Sequence, residues 1–311
     1  MGKTAFLCSG QGAQRVGMGV DFARAYAACA SVFETAARVS GIDVLALCEN
    51  GPAEQLSQTQ NTQPALVATS LAIATELQEH GVQPDCVAGF SLGEYAAHAI
   101  ARTVDAETAL MLVSRRGAMM AAAAERVPGG MTALLRCSRE QAEQLCAECA
   151  EVTRQVLVVA NVNCPGQVVI SGQNEALQRA GEVWKAAGGK AAPVKTSGAF
   201  HSPLMQFAAD RMRPALQMTG FEAPCIDLYC NCTARPLQAG QAAETLERQI
   251  TSPVLWEQTI RAMIEAGVTR FLECGPGKVL TGMVKRTARD MKADVTFSCI
   301  ESVEDLEALH G

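Results

Sequence analysis

A serine flanked by glycines, in the pentapeptide Gly89-Phe90-Ser91-Leu92-Gly93, has the surroundings that covalent chemistry requires. The pentapeptide follows a short apolar run, Cys86-Val87-Ala88, and opens a helix-like segment from Glu94 to Ala101. A Gly-x-Ser-x-Gly turn between a strand and a helix presents the serine hydroxyl at the strand's end, beside unpaired N–H groups of the helix. Ser91 is therefore the first candidate for a nucleophile. The alternative is a glycine-rich turn that only allows close packing.

A serine nucleophile needs a base, and the chain has four histidines. His80 ends a predicted helix, and His310 is the penultimate residue. His98 lies two turns along the helix that Ser91 opens, so its side chain points away from the hydroxyl. His201 lies in a loop before a helix, where catalytic groups are often presented. We therefore predict His201 as the general base, with capping of the following helix as the alternative.

An acidic partner for the histidine is hard to find. A triad in hydrolase order would place an aspartate between Ser91 and His201, and the only aspartate there is Asp105. Because Asp105 stands at the start of a predicted helix, an N-cap role suits it better. We therefore expect a Ser-His dyad whose histidine is oriented by a main-chain or amide oxygen.

Acyl transfer also needs donors for a developing oxyanion. The backbone N–H of Leu92, directly after the nucleophile, is one candidate. The loop from Ser9 to Gln14 follows a predicted strand, and Gly10 and Gly12 let its backbone approach a ligand, so we expect a second donor there. A phosphate loop is the competing interpretation, but the lysine and spacing of a Walker motif are missing.

The elements that must position these groups alternate between short β-like and longer helical runs, which predicts an α/β protein with a largely parallel sheet. Between Pro128 and Gly198 the order is β-α-β-β-α-β, the ferredoxin-like arrangement. We therefore expect an inserted ferredoxin-like subdomain over residues 128–196 and a large domain made of residues 1–127 and 197–311. The cleft between them is the expected place for a site.

Composition excludes several functional classes. The 311 residues are 49% hydrophobic and 19% charged, and the formal net charge is −6 with both signs interspersed, which does not fit a nucleic-acid-binding protein. No apolar run approaches a membrane span or a signal peptide. The thirteen cysteines lack zinc-ligand spacing, so we expect core thiols, no metal site and a cytoplasmic location. A monomer is expected because no heptad pattern is evident.

Five motifs occur in the order expected of malonyl-CoA:acyl-carrier-protein transacylases, and the chain resembles that family over essentially its whole length. The motifs are Gly10-Gln11-Gly12, Gly89 to Tyr95, Arg115-Arg116-Gly117, Gly198-Ala199-Phe200-His201 and Glu273-Cys274-Gly275-Pro276-Gly277. The resemblance implies an α/β-hydrolase-like large domain with an inserted ferredoxin-like small domain. It also implies a malonyltransferase of fatty-acid synthesis that needs no cofactor, since coenzyme A thioester and carrier phosphopantetheine are substrates.

The resemblance gives each candidate residue a role. Ser91 would take the malonyl group from malonyl-CoA as an ester, and His201 would act as general base and then as general acid. Arg116 would bind the free malonyl carboxylate, a role that its planar fork suits, whereas Arg115 next to it would face solvent. The remaining matching positions imply that the backbone N–H groups of Gln11 and Leu92 form an oxyanion hole. They also imply that the main-chain carbonyl of Gln249 steadies the histidine.

Three further positions bear on the acyl group. Phe200 before the histidine resembles the malonyl-selective version of the family and would crowd a methyl branch. Phe90 departs from the many members that have histidine before the nucleophile, which affects the packing around the serine. Asn161 and Asn163 lie in a segment that resembles part of the substrate channel.

An acidic acyl carrier protein, the expected partner, would need positive charge near the cleft. Two basic groups are candidates, with solvated surfaces as the alternative. They are Lys278, Lys285, Arg286, Arg289 and Lys292, and Lys185, Lys190 and Lys195. Other functions that stay open are a free-standing polyketide acyltransferase, a hydrolase that clears acyl groups from carriers, and a non-catalytic carrier-binding scaffold, which would not need Ser91, His201 and Arg116 together.

Overall fold

The computed structural model describes residues 2–309, and its strands form two sheets. His310, which sequence analysis set aside as a base, lies outside the described residues. The strands are β1 (Lys3–Cys8), β2 (Cys86–Gly89), β3 (Gly130–Leu135), β4 (Leu157–Cys164), β5 (Gln167–Gly172), β6 (Lys190–Pro193), β7 (Asp227–Tyr229), β8 (Val268–Cys274) and β9 (Thr296–Ile300).

The helices alternate with these strands along most of the chain. They are α1 (Val20–Ala25), α2 (Ala27–Ser40), α3 (Val44–Asn50), α4 (Ala53–Leu56), α5 (Thr59–Glu79), α6 (Gly93–Ile100), α7 (Ala106–Arg126), α8 (Arg139–Thr153), α9 (Asn174–Ala186), α10 (Gln206–Met218), α11 (Ala242–Gln249), α12 (Trp256–Glu265), α13 (Val279–Met291) and α14 (Val303–Glu307), with a 3-10 turn over Pro203–Met205. The α/β class that the sequence predicts is confirmed.

The larger sheet is parallel and has the strand order β7-β2-β1-β8-β9. At its central strand, Cys8 pairs in register with Gly89 of β2 and with Cys274 of β8. The carboxyl ends of these three strands therefore meet at one edge, which is where parallel α/β sheets bind ligands. The elbow after β2, the glycine loop after β1 and the Gly-Pro-Gly segment after β8 all leave from this edge.

The smaller sheet is antiparallel and has the order β4-β5-β3-β6. Helices α8 and α9 pack against it around a separate apolar cluster that includes Leu134, Leu145 and Ile170. Along the chain its elements follow the predicted β-α-β-β-α-β order.

Helices α5 and α7 form the wall behind the elbow. α5 is buried along most of its length, as expected of a helix that is apolar on most sides, and it packs against α2, α6 and α7. At the start of α7 the carboxylate of Asp105 accepts the N–H of Thr108 at 2.7 Å, so the predicted N-cap is confirmed. Among residues 2–309 no helix is long and apolar enough to cross a membrane.

Candidate active site

The elbow between β2 and α6 is too tight for side chains at its glycines. A Cβ on Gly93 would lie 2.5 Å from the carbonyl oxygen of Cys8, and one on Gly89 would overlap the backbone of Gly93. Ser91 between them has φ 53°, in the left-handed region that L-residues rarely adopt. The turn therefore presents the Ser91 side chain at the sheet edge, in a strained conformation that its neighbours must hold.

Asn231, two residues beyond the end of β7, holds the elbow. Its Oδ1 accepts the N–H of Ser91 at 2.7 Å, and its Nδ2 donates to the carbonyl oxygen of Gly89 at 2.6 Å. Because β7 is the neighbour of β2 in the sheet, this carboxamide continues the hydrogen bonding of the two strands past the point where β7 ends. The strained turn thus has no orphaned donor or acceptor on that side.

The candidate nucleophile and base are in contact. Ser91 Oγ lies 2.7 Å from His201 Nε2. His201 Nδ1 lies 3.0 Å from the main-chain oxygen of Gln249 and 3.2 Å from that of Ser252. Two carbonyl acceptors fix the proton on Nδ1, which leaves Nε2 as the acceptor for the serine hydroxyl. The structure thus brings together the three residues that sequence analysis assigned to the dyad and its orientation.

Electrostatics keep this histidine neutral. Burial, and then the charge of Arg116, lower the pKa of His201 to about 4, although the hydrogen bonds to the Gln249 and Ser252 carbonyls oppose the change. The imidazole is therefore in its basic form at neutral pH. Among residues 2–309 no carboxylate contacts its ring, and the main chain alone orients it.

Arg116 lies on the other side of the serine and is fully buried. Its Nη2 donates to Ser91 Oγ at 3.1 Å and to Gln249 Oε1 at 3.0 Å, and its Nη1 donates to Gln63 Oε1 at 2.7 Å. Its Nε has no partner among the described residues. Arg115 points outward instead, to the carbonyl oxygen of Arg211. The guanidinium is therefore placed to bind an anionic group beside the nucleophile.

The main-chain N–H groups of Gln11 and Leu92 donate to no protein acceptor within residues 2–309. Gly10 brings the first loop close to the elbow, because a Cβ there would lie 2.7 Å from the carbonyl oxygen of Phe90. Both candidate donors thus lie in segments that leave the carboxyl edge of the sheet, and their role in an oxyanion hole stays a prediction.

A cavity of about 250 Å³ opens in front of these groups. Its walls come from both sheets and from helices α5, α7 and α13, so the cavity lies between the two units of the fold. The lining includes Ser91, His201, Arg116, Gln11, Gln63, Met120, Met131, Asn161, Asn163, Phe200 and Met283. Phe90 lines it as well and packs edge-on against Trp256, with 5.3 Å between ring centroids.

The other histidines and the cysteines lie apart from this chemistry. His98 is buried, Nδ1 contacts Thr103 Oγ1 at 2.7 Å, and burial lowers its pKa to about 3. His80 ends α5, with Nδ1 2.8 Å from the carbonyl oxygen of Glu76. All cysteines except Cys225 and Cys299 are buried. In the described part of the chain no group of His, Cys, Asp or Glu could hold a metal ion.

Sequence reasoning missed Gln63, Glu94 and Asn231. The Glu94 carboxylate accepts the side-chain amide of Gln249 and the N–H of Asn231, at 2.8 and 3.0 Å. Burial raises its pKa to about 7, against the lowering effect of those hydrogen bonds. A glutamate in the alanine-rich helix α6 and a glutamine in the apolar helix α5 were visible signals, because polar side chains in buried helices need partners.

The site places the Ser91 hydroxyl between a neutral imidazole and a buried guanidinium at the edge of a parallel sheet. Such an arrangement is typical of enzymes that move an acyl group through an ester on serine. Comparison with known proteins agrees. A family model described as the acyl transferase domain matches residues 5–305.

Individual relatives have more specific names than the family model. A malonyl CoA-acyl carrier protein transacylase of Escherichia coli O157:H7 is 40% identical over 296 residues, which cover 94% of this chain and 95% of that protein. The crystal structure of an acyl carrier protein S-malonyltransferase from Vibrio cholerae superposes with a TM-score of 0.91 at 39% identity, over 99% of each chain. A malonyl-transacylase in complex with a type II PKS acyl-carrier protein superposes with a TM-score of 0.92 at 37% identity, over 98% of each chain.

The chain belongs to the acyl transferase domain family and, within it, to the malonyl CoA-acyl carrier protein transacylases.

Proposed function

We propose that this protein transfers a malonyl group from malonyl-CoA to the pantetheine thiol of an acyl carrier protein in fatty-acid synthesis, through an ester on Ser91. The observation that carries the proposal is the convergence on Ser91 Oγ of His201 Nε2 at 2.7 Å and Arg116 Nη2 at 3.1 Å. One group removes a proton from the nucleophile, and the other provides a charge beside it that only an anionic acyl group can use.

In the first half of the reaction, Ser91 Oγ attacks the thioester carbonyl carbon while His201 Nε2 accepts the hydroxyl proton. Negative charge on the carbonyl oxygen is stabilised by the N–H groups of Gln11 and Leu92. The new C–O bond is completed as the C–S bond breaks, and His201 gives the proton to the departing coenzyme A sulfur. The main-chain oxygen of Gln249 holds the imidazole in the required tautomer throughout.

In the second half, the pantetheine thiol gives its proton to His201 and its sulfur attacks the ester carbonyl. The bond to Ser91 Oγ breaks, and the serine recovers the proton from His201. Neither half consumes another reagent, so these protein groups are sufficient and the mechanism needs no cofactor.

Selectivity for malonyl over acetyl follows from Arg116. A charge-assisted hydrogen bond to the malonyl carboxylate contributes about 1.5–3 kcal/mol. That range corresponds to roughly a 10- to 150-fold preference. An acetyl group would leave the guanidinium buried without an anion. Phe200, which lines the cavity, supports the expected exclusion of a methyl branch.

Intact-mass measurement tests the proposal directly. The native chain incubated with malonyl-CoA should gain one malonyl group and lose it when a carrier protein is added. The Ser91→Ala variant should gain none, and Arg116→Ala should narrow the malonyl-to-acetyl preference. Equal labelling of Ser91→Ala would rule out the ester on this serine, and an unchanged preference in Arg116→Ala would remove that residue from its role.

The carrier's docking surface stays a prediction. Lys195 from one predicted basic group lines the cavity, and Lys278 from the other directly precedes Val279, which also lines it. Fatty-acid and polyketide carriers present the same pantetheine thiol, and one relative is bound to a type II PKS carrier. Comparing transfer rates to purified carriers of the two kinds would assign the pathway.

We also propose the finer description of the fold: an α/β-hydrolase-like domain of residues 1–127 and 197–311 and a ferredoxin-like insert of residues 128–196. The parallel sheet with its serine elbow supports the first part, and the β-α-β-β-α-β order with two helices packed on the antiparallel sheet supports the second. A monomeric state and a cytoplasmic location stay predictions from the sequence.

A further inference from the structure

The partners of Arg116 differ in kind from those of the arginines at the surface. Six surface arginines form ion pairs with aspartate or glutamate: Arg15, Arg24, Arg38, Arg139, Arg213 and Arg261. Arg116 is fully buried, yet within residues 2–309 it makes no ion pair, and its acceptors are two side-chain amides and the serine hydroxyl. Buried arginines are normally paired, because an uncompensated charge is costly in a low-dielectric interior.

The two amides are themselves held in one orientation. Gln249 Nε2 donates to the main-chain oxygen of Ser91 and to Glu94 Oε2, both at 2.8 Å, so its Oε1 must face Arg116. Gln63 Nε2 is directed at the sulfur of Met120, 3.6 Å away, which turns its Oε1 to the guanidinium in the same way. Neither amide can present its N–H groups to Arg116 without losing these contacts.

The remaining charged and titratable groups near Arg116 do not neutralise it by contact. Glu94 reaches it only through the Gln249 side chain. The ring of Tyr95 lies with its centroid 5.7 Å from the guanidinium carbon. The third neighbour, His201, is neutral. The guanidinium therefore keeps its charge, and its Nε–H has no acceptor among the described residues.

We propose that acyl specificity depends on the neutrality of Gln63 and Gln249, whose side-chain oxygens contact Arg116 and leave its charge available to the carboxylate of the acyl group. This inference rests on the proposed function, in which Arg116 binds malonyl. A carboxylate in either position would hold the arginine as well or better, but it would supply the counterion that the substrate must otherwise provide. Selectivity for malonyl thus depends on having no carboxylate at the two glutamine positions as well as on Arg116 itself.

The test is the near-isosteric substitution Gln63→Glu, with Gln63→Leu as a matched variant that removes the acceptor without adding charge. Rates of Ser91 acylation by malonyl-CoA and acetyl-CoA are measured on the purified full chain by quenched-flow intact mass, and folding is checked by thermal melting. In Gln63→Glu the malonyl-to-acetyl ratio should fall about 10- to 100-fold through loss of the malonyl rate, since the substrate's ionic bond is replaced. In Gln63→Leu most of the preference should remain.

The possible results distinguish a failure of this inference from a failure of the proposed function. A wild-type ratio in Gln63→Glu, or an equal loss of both acyl groups, would overturn the inference and leave the malonyl-serine mechanism intact. A wild-type chain that is not malonylated at Ser91 would remove the proposed function and the inference together. If Gln63→Glu does not fold, the Gln63→Leu variant provides the test. A malonyl-to-acetyl ratio close to that of the native chain would support the inference, and a ratio as low as that of Arg116→Ala would overturn it.

Discussion

Substituting Asn231 by leucine should disable the nucleophile without touching either reacting group. Leucine has a similar size but can neither accept the N–H of Ser91 nor donate to the carbonyl oxygen of Gly89, which now lie 2.7 and 2.6 Å from the asparagine amide. Two buried backbone groups would lose their partners, at about 1–3 kcal/mol each, so the free energy of unfolding should fall by roughly 2–6 kcal/mol.

The effect on rate should exceed the effect on stability. Without the amide, only the Gln249 side chain still holds the main chain of Ser91, so the residue can relax from its left-handed φ of 53° and its hydroxyl would move away from His201. A displacement of about 1 Å in a reacting group costs on the order of 100-fold in rate. We therefore expect acylation by malonyl-CoA to slow by about two orders of magnitude, measured by quenched-flow intact mass beside denaturant unfolding.

Thr103→Val is the matched control, because it also replaces a buried polar side chain by an apolar isostere. Thr103 donates to the carbonyl oxygen of His98 at 3.1 Å, away from the cavity. Its loss should lower stability and leave the acylation rate close to that of the native chain. If Asn231→Leu loses stability but acylates as fast as Thr103→Val, Asn231 does not hold the elbow and the reasoning from its two hydrogen bonds is wrong.

Two further predictions concern protonation. The pKa of His201 is lowered to about 4 in the free protein. We therefore expect kcat/KM to stay flat from about pH 8 to about pH 5 and to fall tenfold per pH unit below about pH 4. An inflection of kcat/KM near the ordinary histidine pKa of about 6.5 would contradict this prediction. The pKa of Glu94 is raised from 4.5 to about 7, so the folded state binds a proton on this carboxyl group more tightly than the unfolded state does. The contribution of Glu94 to stability therefore falls as the pH rises from about 4.5 to about 7. Denaturant unfolding of Glu94→Gln at a series of pH values should therefore show a flatter dependence than the native chain between about pH 5 and 7, and parallel curves would mean that Glu94 does not titrate there.

The parts of the fold that the sequence predicted best are those whose signals are local. β1 and β2 are short buried apolar runs bounded by turn residues, and α7 begins at a capping aspartate. The helices between residues 20 and 56 were not predicted, because three of the four span seven residues or fewer and show too little periodicity. β9 was missed for a different reason: it is an edge strand whose residues are mostly exposed, so it lacks an apolar pattern.

The residues of the site also divide into those that a local sequence pattern marks and those that it does not. Ser91 was visible from its five-residue surroundings, and His201 from elimination among four histidines. Asn231 touches Ser91 across 140 positions of sequence and Gln63 touches Arg116 across 53, and no local pattern marks either pair. Such contacts depend on where β7 ends and on which face of α5 meets α7, both of which are decided by packing of the whole domain.

Backbone strain connects the nucleophile with its base. Ser91 and His201 both adopt the left-handed region, with φ of 53° and 56°, although neither is glycine. Each such residue costs on the order of 1–2 kcal/mol, so the surrounding contacts must over-determine both. Gln249 serves the two at once, because its side chain donates to the main-chain oxygen of Ser91 and its main-chain oxygen contacts His201 Nδ1. One residue at the end of α11 therefore couples the two strained residues and orients Arg116, which explains why buried polar groups that a stable core would avoid are concentrated here.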